Sequence, residues 1–378
     1  MGARTALVHH WLVTTRGGER VFEALAQLFP SADLFTLVCD KAKMPQSLNA
    51  RRVRSSFLQH LPKAAQWYRY YLPLFPYATE QLDLAGYDLI ISSDAATVKG
   101  VRGGKATHIC YCHTPMRYVW NGYETYRRMS GPLSRYALRA FRESLCRWDY
   151  EAAQRVTLFV ANSRNVQNRI RECYDRDSCV IYPPVDTERF SPGSHQRRLQ
   201  DYFLIVSPLV SYKRVDLLVD AFNRCRRNLI VIGDGPEKKK LESRAGPTVR
   251  FLGAQSDASV VEAMQQCRAF VFAGEEDFGI VMAEAQACGK PVIAFGRGGA
   301  AEIVGHAQTG ILFEEQSIEC LTDAIDQFDR MAFDSLNIRR SSLRFSRERF
   351  MQEFSELASG IRDLAGRETT PQGSARPS

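Results

Sequence analysis

The sequence predicts an α/β fold with two doubly wound domains, and three observations support this prediction. Short apolar runs rich in Val, Ile and Phe recur along the chain, as in Tyr87–Ser92 and Ala269–Ala273, and such runs are typical of buried parallel strands. Amphipathic helical segments lie between them, which is the order of βαβ units. The pattern restarts at Tyr202, after the polar stretch Ser191–Gln200.

The polar stretch divides the chain, which at 378 residues is long enough for two domains. We expect an N-terminal domain over residues 1–193 and a C-terminal domain over residues 200–345. Their carboxyl edges are expected to face each other across a cleft, where ligands of such sheets bind. A final amphipathic helix over 346–364 is expected to return to the first domain. Residues 365–378, rich in Gly, Thr, Ser and Pro, are predicted to be disordered.

The composition argues against several classes of protein. The chain is 45% hydrophobic and 24% charged, which is ordinary for a globular protein. No run approaches the roughly eighteen apolar residues of a membrane-spanning helix, and Thr5–Val13 predicts a strand and not a signal peptide. The ten cysteines form no CxxC pair. We therefore expect reduced thiols in a cytoplasmic protein and no metal site.

The net charge of +8 is concentrated in the N-terminal half. Residues 51–79 contain five Lys or Arg and no acidic residue, and residues 95–142 contain nine, with Glu124 as their only acid. Such a basic surface suits nucleic acid, anionic lipid or a phosphate-bearing substrate. It is equally compatible with a solvated face that binds nothing.

A basic and aromatic block spans Phe57–Leu84. Lys63 and Arg69 are interleaved there with aromatic residues, among them Trp67. Rings and cations in this arrangement suit a membrane interface, where both lie at the level of the lipid headgroups. The other interpretation is a pair of helices that pack on the sheet with their rings inward. The sequence leaves both interpretations open.

Two predicted strands of the first domain lead into candidate ligand-binding residues. Gly17 and Gly18 follow the first strand, in a predicted loop before the helix Arg20–Leu28. A glycine pair at this point lets backbone N–H groups approach a phosphate, or it makes a turn. His113 follows the strand His108–Cys112. We expect His113 to contact a ligand because it lies at the carboxyl end of a parallel strand.

The second domain offers cations and glycines at the same edge. Lys213 and Arg214 follow its first strand, and two cations there suit a diphosphate. Gly233 and Gly235 follow its second strand and permit close approach of the backbone to a ligand.

An acid-rich helix start lies between the predicted strands Ala269–Ala273 and Pro291–Phe295. Glu276 precedes this helix and Glu284 lies inside it, among alanines. A carboxylate only accepts hydrogen bonds and can accept two at once, so Glu284 suits a ribose diol and Glu276 suits the hydroxyls of a second sugar. The helix start, with Gly279, is expected to face phosphate. Together these features describe a nucleotide-sugar.

The segment Glu276–Glu284, EDFGIVMAE, resembles the E-x7-E motif of retaining glycosyltransferases of family 4, which have the GT-B architecture of two Rossmann-like domains. Further segments follow in the order of that family over nearly the whole chain: HHWLVTTRGGERVFEAL, YCHTPMRYVW, VANSRNV, YPPVDTERF, VSPLVSYKRVDLLVDAF, VIGDGPE, FLG and FGRGGAAEIV. Among its subgroups, the sequence is most similar to bacterial mannosyltransferases that build O-antigen, capsule or exopolysaccharide on lipid carriers.

The resemblance implies a role for each matching residue. His113 would contact the transferring sugar near its reacting carbon, and Glu276 would hold hydroxyls of that sugar. Lys213 would neutralise the leaving diphosphate, which Gly17–Gly18 would approach. Glu284 would bind the ribose. The remaining candidate donor-binding residues are Arg214, Gly233, Gly235, Phe278, Gly279 and Ile280.

The sequence departs from the family pattern at three positions. Pro208 stands where the family usually places an Arg beside the Lys of the phosphate-binding pair, and Arg214 is the candidate to compensate. A missing charge-assisted contact would cost about 1.5–3 kcal/mol, or roughly tenfold or more in rate. His10 stands where related sequences have Asp, and Met282 stands at a common Pro position.

The leading hypothesis is a retaining glycosyltransferase that moves a hexose to a hydroxyl of a lipid-linked or polysaccharide acceptor. The expected donor is GDP-mannose, with no metal cofactor and no nucleic-acid partner. We expect a cytoplasmic protein that contacts the anionic inner face of the plasma membrane through Lys63, Trp67 and Arg69. The alternatives are a nucleotide-sugar 2-epimerase on the same fold and a non-catalytic binder of anionic lipid or nucleic acid.

Overall fold

The computed structural model describes residues 4–14, 17–129, 131–193 and 200–368. The chain divides into two compact units. The first contains residues 1–162, 166–184 and 348–378, and the second contains 163–165 and 185–347. Most of the predicted linker and the end of the predicted tail lie outside the described residues.

The first unit is built on a parallel sheet of seven strands in the order β3-β2-β1-β4-β5-β6-β7. Its strands are β1 (Thr5–His9), β2 (Asp33–Thr36), β3 (Val53–Ser55), β4 (Leu89–Asp94), β5 (Thr107–Cys112), β6 (Leu158–Ala161) and β7 (Ser178–Val180). Its α-helices are α1 (Gly17–Leu28), α2 (Ala64–Trp67), α3 (Phe75–Glu80), α4 (Tyr123–Met129), α5 (Pro132–Gln154) and α6 (Arg164–Tyr174), whose first two residues are assigned to the second unit.

The second unit is built on a parallel sheet of six strands in the order β10-β9-β8-β11-β12-β13. Its strands are β8 (Phe203–Val206), β9 (Leu229–Ile232), β10 (Val249–Gly253), β11 (Ala269–Phe272), β12 (Val292–Phe295) and β13 (Gly310–Phe313). Its helices are α7 (Val215–Cys225), α8 (Lys238–Arg244), α9 (Asp257–Gln266), α10 (Ile280–Ala287), α11 (Ala300–Ile303), α12 (Ile318–Asp329) and α13 (Ser335–Ser342).

The last helix, α14 (Arg347–Glu368), belongs almost entirely to the first unit. Its Phe350 and Phe354 are fully buried and join the core that contains Phe22 of α1 and Tyr111 of β5. The helix continues four residues beyond the end predicted at 364, so the predicted disorder is wrong for residues 365–368. Within the described ranges, no helix is both long and apolar enough to cross a membrane.

Each sheet has one point where the order of its strands reverses. The chain leaves β1 toward β2 and β3, and then returns to place β4 on the other side of β1. In the second sheet, β11 lies beside β8 in the same way. Carboxyl ends of neighbouring strands diverge into a crevice at such a switch point, which is where open α/β sheets bind ligands. The loops after β1, β4, β8 and β11 therefore lie at the two switch points.

The observed elements differ from the predicted ones near the ligand edge. β1 ends at His9, four residues before the predicted end, and α1 begins at Gly17. The predicted loop position of the glycine pair is therefore wrong, because both glycines lie in the first turn of α1. The block Phe57–Leu84 forms only short α- and 3-10 helices. Proline at 73 and 76 lacks the N–H that a longer helix would need.

A buried ion-pair network stabilises the region behind the edge of the first sheet. Lys99 has no exposed surface, and its Nζ lies 3.1 Å from Asp94 and 2.5 Å from Asp149. Asp149 also accepts hydrogen bonds from Trp120 at 2.8 Å and Tyr174 at 2.7 Å. The two carboxylates raise the pKa of Lys99 in spite of its burial. Lys99 therefore stays charged and joins the end of β4 to helix α5.

Replacing Lys99 by Met should destabilise the fold strongly. Asp94 and Asp149 would then face each other without a counter-ion, so we expect the free energy of unfolding to fall by about 3–5 kcal/mol. The matched control is Arg102→Met, which removes an ion pair to Glu80 from a side chain that is 62% exposed and should cost about 1 kcal/mol or less. Urea denaturation measures both, and equal losses would contradict the prediction.

Candidate functional site

The carboxyl edge of the first sheet brings two histidines and a serine together. His9 ends β1 and lies in register with Ser93 of β4. The backbone N–H of His113, directly after β5, donates to the carbonyl of Asp94 at 2.8 Å. The Ser93 hydroxyl oxygen lies 3.0 Å from Nδ1 of His9 and 2.8 Å from Nε2 of His113. His113 thus lies at the sheet edge, beside the switch point of the first unit.

Burial keeps these imidazoles neutral at pH 7. Burial, reinforced by the nearby His10, lowers the pKa of His113 to about 3. The pKa of His9 is also lowered, first by burial and then by the charges of its histidine neighbours, and burial lowers that of His10. Asp94 opposes the shifts of His10 and His113, but it is already paired with Lys99. His113 is therefore a neutral hydrogen-bonding group.

Gly18 lies directly over the histidine rings. A Cβ atom at this position would stand 3.6 Å from His9, 3.7 Å from Nε2 of His113 and 3.8 Å from His10. These are ordinary contact distances, so neither strain nor crowding requires glycine here. The lack of a side chain at Gly18 leaves the space above the imidazoles open, at the N-terminal end of the twelve-residue helix α1.

The edge of the second sheet pairs a cation with an acid. Lys213 follows β8 and Glu276 follows β11, and these two strands meet at the switch point. The Nζ of Lys213 donates a hydrogen bond to the carboxylate of Glu276. The two side chains are only 12% and 20% exposed. Gly274 permits this approach, because a Cβ there would lie 3.0 Å from the carbonyl oxygen of Tyr212 and 3.1 Å from Cα of Lys213.

The segment between Glu276 and α10 is held by backbone contacts. Gly279 adopts φ 91°, a left-handed conformation that favours glycine, and α10 begins at the next residue, Ile280. The carbonyl of Glu276 accepts the N–H of Gly299 at 2.9 Å. Inside α10, Glu284 is 4% exposed. The ring of Phe278, 3% exposed, packs against Phe345 and so points into the core of the unit.

Arg214 is engaged away from Lys213 and Glu276. Its guanidinium donates to Asp216 at 3.3 Å and to Gln316 at 3.1 Å. These contacts hold the side chain at the start of α7 and beside the chain after β13. The expected compensation for Pro208 therefore requires Arg214 to leave both partners.

Gly233 and Gly235 have a packing reason to be glycine. A Cβ at Gly233, where φ is 143°, would lie 1.9 Å from the carbonyl oxygen of Ser207. A Cβ at Gly235 would lie 2.4 Å from the carbonyl oxygen of Leu209. The loop after β9 is thus pressed against the loop that contains Pro208. This contact accounts for both glycines without a ligand.

The basic and aromatic block combines features of both interpretations. Tyr68 and Phe75 are buried, while Trp67 is 44% and Tyr70 71% exposed. Lys63, also exposed, places its Nζ 4.7 Å from the centre of the Trp67 ring. We use the name aromatic face for seven exposed residues of this block: Phe57, Lys63, Trp67, Arg69, Tyr70, Leu74 and Tyr77.

Sequence reasoning missed Ser93 and the roles of His9 and Asp94. A serine and an aspartate at the end of a buried strand were visible in the sequence, as was the His9–His10 pair after the first apolar run. Their common edge follows only once β4 is known to lie beside β1. Among the described residues, no group of three or more His, Cys, Asp or Glu is arranged to hold a metal ion.

Comparison with known proteins finds glycosyltransferase family models that match each half of the chain. A family model described as Glycosyltransferase Family 4 matches residues 15–189, and one described as Glycosyl transferases group 1 matches residues 185–332. A GDP-mannose-dependent alpha-mannosyltransferase of Mycobacterium tuberculosis is 32% identical over 173 residues, 42% of this chain and 45% of its own length. An N-acetyl-alpha-D-glucosaminyl L-malate synthase of Bacillus anthracis is 32% identical over 211 residues, 48% of this chain and 53% of its own length.

Solved structures match almost the whole chain. HepE of Anabaena, in complex with UDP and glucose, aligns with a TM-score of 0.69 and 20% identity over 95% of this chain and 100% of its own. A sucrose-phosphate synthase of Thermosynechococcus elongatus aligns with a TM-score of 0.67 and 16% identity over 96% and 100%. At these identities the likeness shows the fold alone, and it confirms the predicted GT-B fold of two Rossmann-like domains. The chain spans about half the length of the curated relatives it matches.

Substitution by alanine should destabilise the protein more at Gly233 than at Gly18. Gly233→Ala forces a Cβ against the Ser207 carbonyl and should cost about 1–3 kcal/mol or more. Gly18→Ala has room and a helical position, so it should change the free energy of unfolding by about 1 kcal/mol or less. Urea denaturation compares the two variants. A loss at Gly18 as large as that at Gly233 would contradict the open space described above the imidazoles.

Proposed function

We propose that this chain is a glycosyltransferase of GT-B architecture, and that it moves a hexose from a nucleotide-sugar to a hydroxyl of a lipid-linked or polysaccharide acceptor. The observation that carries the proposal is the Lys213–Glu276 pair at the switch point of the second sheet. It puts a cation and a hydroxyl-binding carboxylate together, immediately before a helix that holds a second, buried carboxylate at Glu284.

Each residue then has a chemical role. Glu276 accepts hydrogen bonds from donor-sugar hydroxyls, and Glu284 accepts those of the ribose. Lys213 neutralises the diphosphate as it departs, which stabilises charge that develops in the transition state. Gly17–Gly18 lets the diphosphate approach the start of α1. His113, kept neutral, hydrogen-bonds the transferring sugar.

We further propose retention of configuration by attack on the same face, with the departing phosphate assisting deprotonation of the acceptor. Lys213 and the N-terminus of α1 or α10 supply the charge stabilisation, so the reaction would need no metal ion. The proposed donor sugar is mannose, with guanine as the base. Support comes from the mannosyltransferase relatives that use GDP-mannose, while HepE, bound to UDP, makes UDP-sugars the main rival donors.

Ligand-induced stabilisation tests the donor. GDP-, UDP-, ADP- and dTDP-sugars are compared by thermal shift, and the true donor at a hundred times its dissociation constant should stabilise the protein by about 2.7 kcal/mol. Product analysis with and without an acceptor follows. A free 2-epimer formed without an acceptor would indicate an epimerase. Binding of polyanions alone, with no turnover of any nucleotide-sugar, would indicate a non-catalytic binder and contradict the proposal.

Glu276→Gln should reduce turnover of the donor because a neutral amide accepts weaker hydrogen bonds and no longer pairs with Lys213. A lost bond to a charged group corresponds to a decrease in kcat/KM of roughly ten- to a hundredfold. The matched control is Glu275→Gln, an exposed neighbour, which should change kcat/KM by about twofold or less. Full turnover by the Glu276 variant would remove this residue from the site.

We also propose that the aromatic face docks on the anionic inner leaflet of the plasma membrane, where a lipid-linked acceptor would be reached. Exposed rings beside exposed cations are the residues that sit at headgroup level. Trp67 with Lys63 above its ring presents both groups in one contact. This surface supports a cytoplasmic, peripheral location.

Vesicles of phosphatidylglycerol and phosphatidylethanolamine test the docking at low salt. Each cation near an anionic surface contributes about 1 kcal/mol, so Lys63→Gln combined with Arg69→Gln should weaken binding by roughly thirtyfold. The control is Lys239→Gln with Lys240→Gln, the same charge change on the second unit. Equal losses from both pairs would show that only net charge matters, and the proposed face would be wrong.

A further inference from the structure

A single hydroxyl lies between two of the three histidines at the edge of the first sheet. Ser93 Oγ is 3.0 Å from Nδ1 of His9 and 2.8 Å from Nε2 of His113. A serine hydroxyl has one proton to donate and can accept through its lone pairs. It can therefore donate to only one of the two rings, and the position of one proton affects both.

The protonated ring nitrogen of His10 follows from its hydrogen-bond partner. Its Nδ1 lies 3.1 Å from the backbone carbonyl of Ser93. A carbonyl oxygen only accepts hydrogen bonds, so Nδ1 of His10 carries the ring proton. For His9 and His113, the protonated ring nitrogen depends on which of the two rings donates to the Ser93 hydroxyl and which accepts from it.

His9 provides that direction. Its side chain has no exposed surface, and its Nε2 is buried without a hydrogen-bond partner among the described residues. An orphaned N–H in such a place is rarer than an unused acceptor. The proton of His9 therefore belongs on Nδ1, which donates to the Ser93 oxygen. The Ser93 hydroxyl is then free to donate to Nε2 of His113.

We propose that His9 and Ser93 are positioning residues that hold His113 in the tautomer with its proton on Nδ1. In this tautomer Nε2 is the acceptor and faces Ser93, while Nδ1–H is a donor with no partner among the described residues. His113 would then offer a ligand oxygen a hydrogen bond and could not remove a proton through that nitrogen. The value of this donor to catalysis rests on the proposed function, but the tautomer itself does not.

Histidine labelled with nitrogen-15 tests the tautomer in the intact chain without any ligand. Long-range proton–nitrogen spectra distinguish protonated from bare ring nitrogens, and the seven histidines are few enough to assign by substitution. We expect His113 to show a bare Nε2 and a protonated Nδ1, with His9 protonated at Nδ1. A protonated Nε2 on His113 in the wild-type protein overturns the proposal, whatever any variant does.

Ser93→Ala removes the donor to Nε2 and should move the proton of His113 toward Nε2, the site that a free histidine side chain prefers. The neighbouring strand residue supplies a matched control. Ser92 Oγ makes the same kind of bond, 2.8 Å from Nε2 of His108, so Ser92→Ala should alter His108 and leave His113 unchanged. An unchanged His113 spectrum in Ser93→Ala contradicts the proposed positioning of His113 by Ser93. The same change of the His113 spectrum in Ser92→Ala contradicts it as well.

Kinetics separate this inference from the proposed function. With the nucleotide-sugar that is turned over in the donor screen, Ser93→Ala should lower kcat by roughly three- to tenfold, the size of one hydrogen bond, with a smaller effect on KM. If no nucleotide-sugar is turned over but the spectra show His113 protonated on Nδ1, the proposed function fails and the proposed tautomer is confirmed. If a nucleotide-sugar is turned over but Nε2 of His113 is protonated, the proposed function is supported and the proposed tautomer is wrong.

Discussion

The pairing of β1 with β4 in the first unit, and of β8 with β11 in the second, is the constraint on which the residue cluster of each unit depends. All neighbouring strands in the two sheets run parallel, so their carboxyl ends share an edge. At the two switch points this edge collects residues that lie far apart in the chain. His9 meets Ser93 across 84 positions, and Lys213 meets Glu276 across 63. Without the reversal of strand order, neither pair could form.

In the first unit, the charged ion pairs of Lys99 lie close to neutral histidines. Asp94 lies close enough to His10 and His113 to favour their protonation. Lys99 takes up this carboxylate, and Asp149 balances the cation from the other side. Burial then dominates at the imidazoles. The histidines are therefore neutral beside a charged network that contributes no atom to the ring contacts.

Much of the fold could be predicted because its signals are local. Apolar runs and the Gly279 helix start are visible in a few consecutive residues. Ser93 was missed because a serine at a strand end has no pattern of its own, and its importance comes from the register with His9. Gly233 and Gly235 were interpreted as ligand-facing because their contact with the Ser207–Leu209 loop is a tertiary feature.

The pair between Lys213 and Glu276 means that the cation at this switch point already has a counter-ion. A diphosphate bound as proposed would have to displace Glu276 from Lys213, and the displaced carboxylate would need hydroxyl groups in exchange. Inorganic phosphate offers an anion for Lys213 but no sugar hydroxyl groups for Glu276, whereas a nucleotide-sugar offers both. After the proposed transfer, the departing nucleotide would no longer bring a sugar for Glu276. The carboxylate would then compete again for Lys213, so the pair that favours binding of the whole substrate would also help to expel the product.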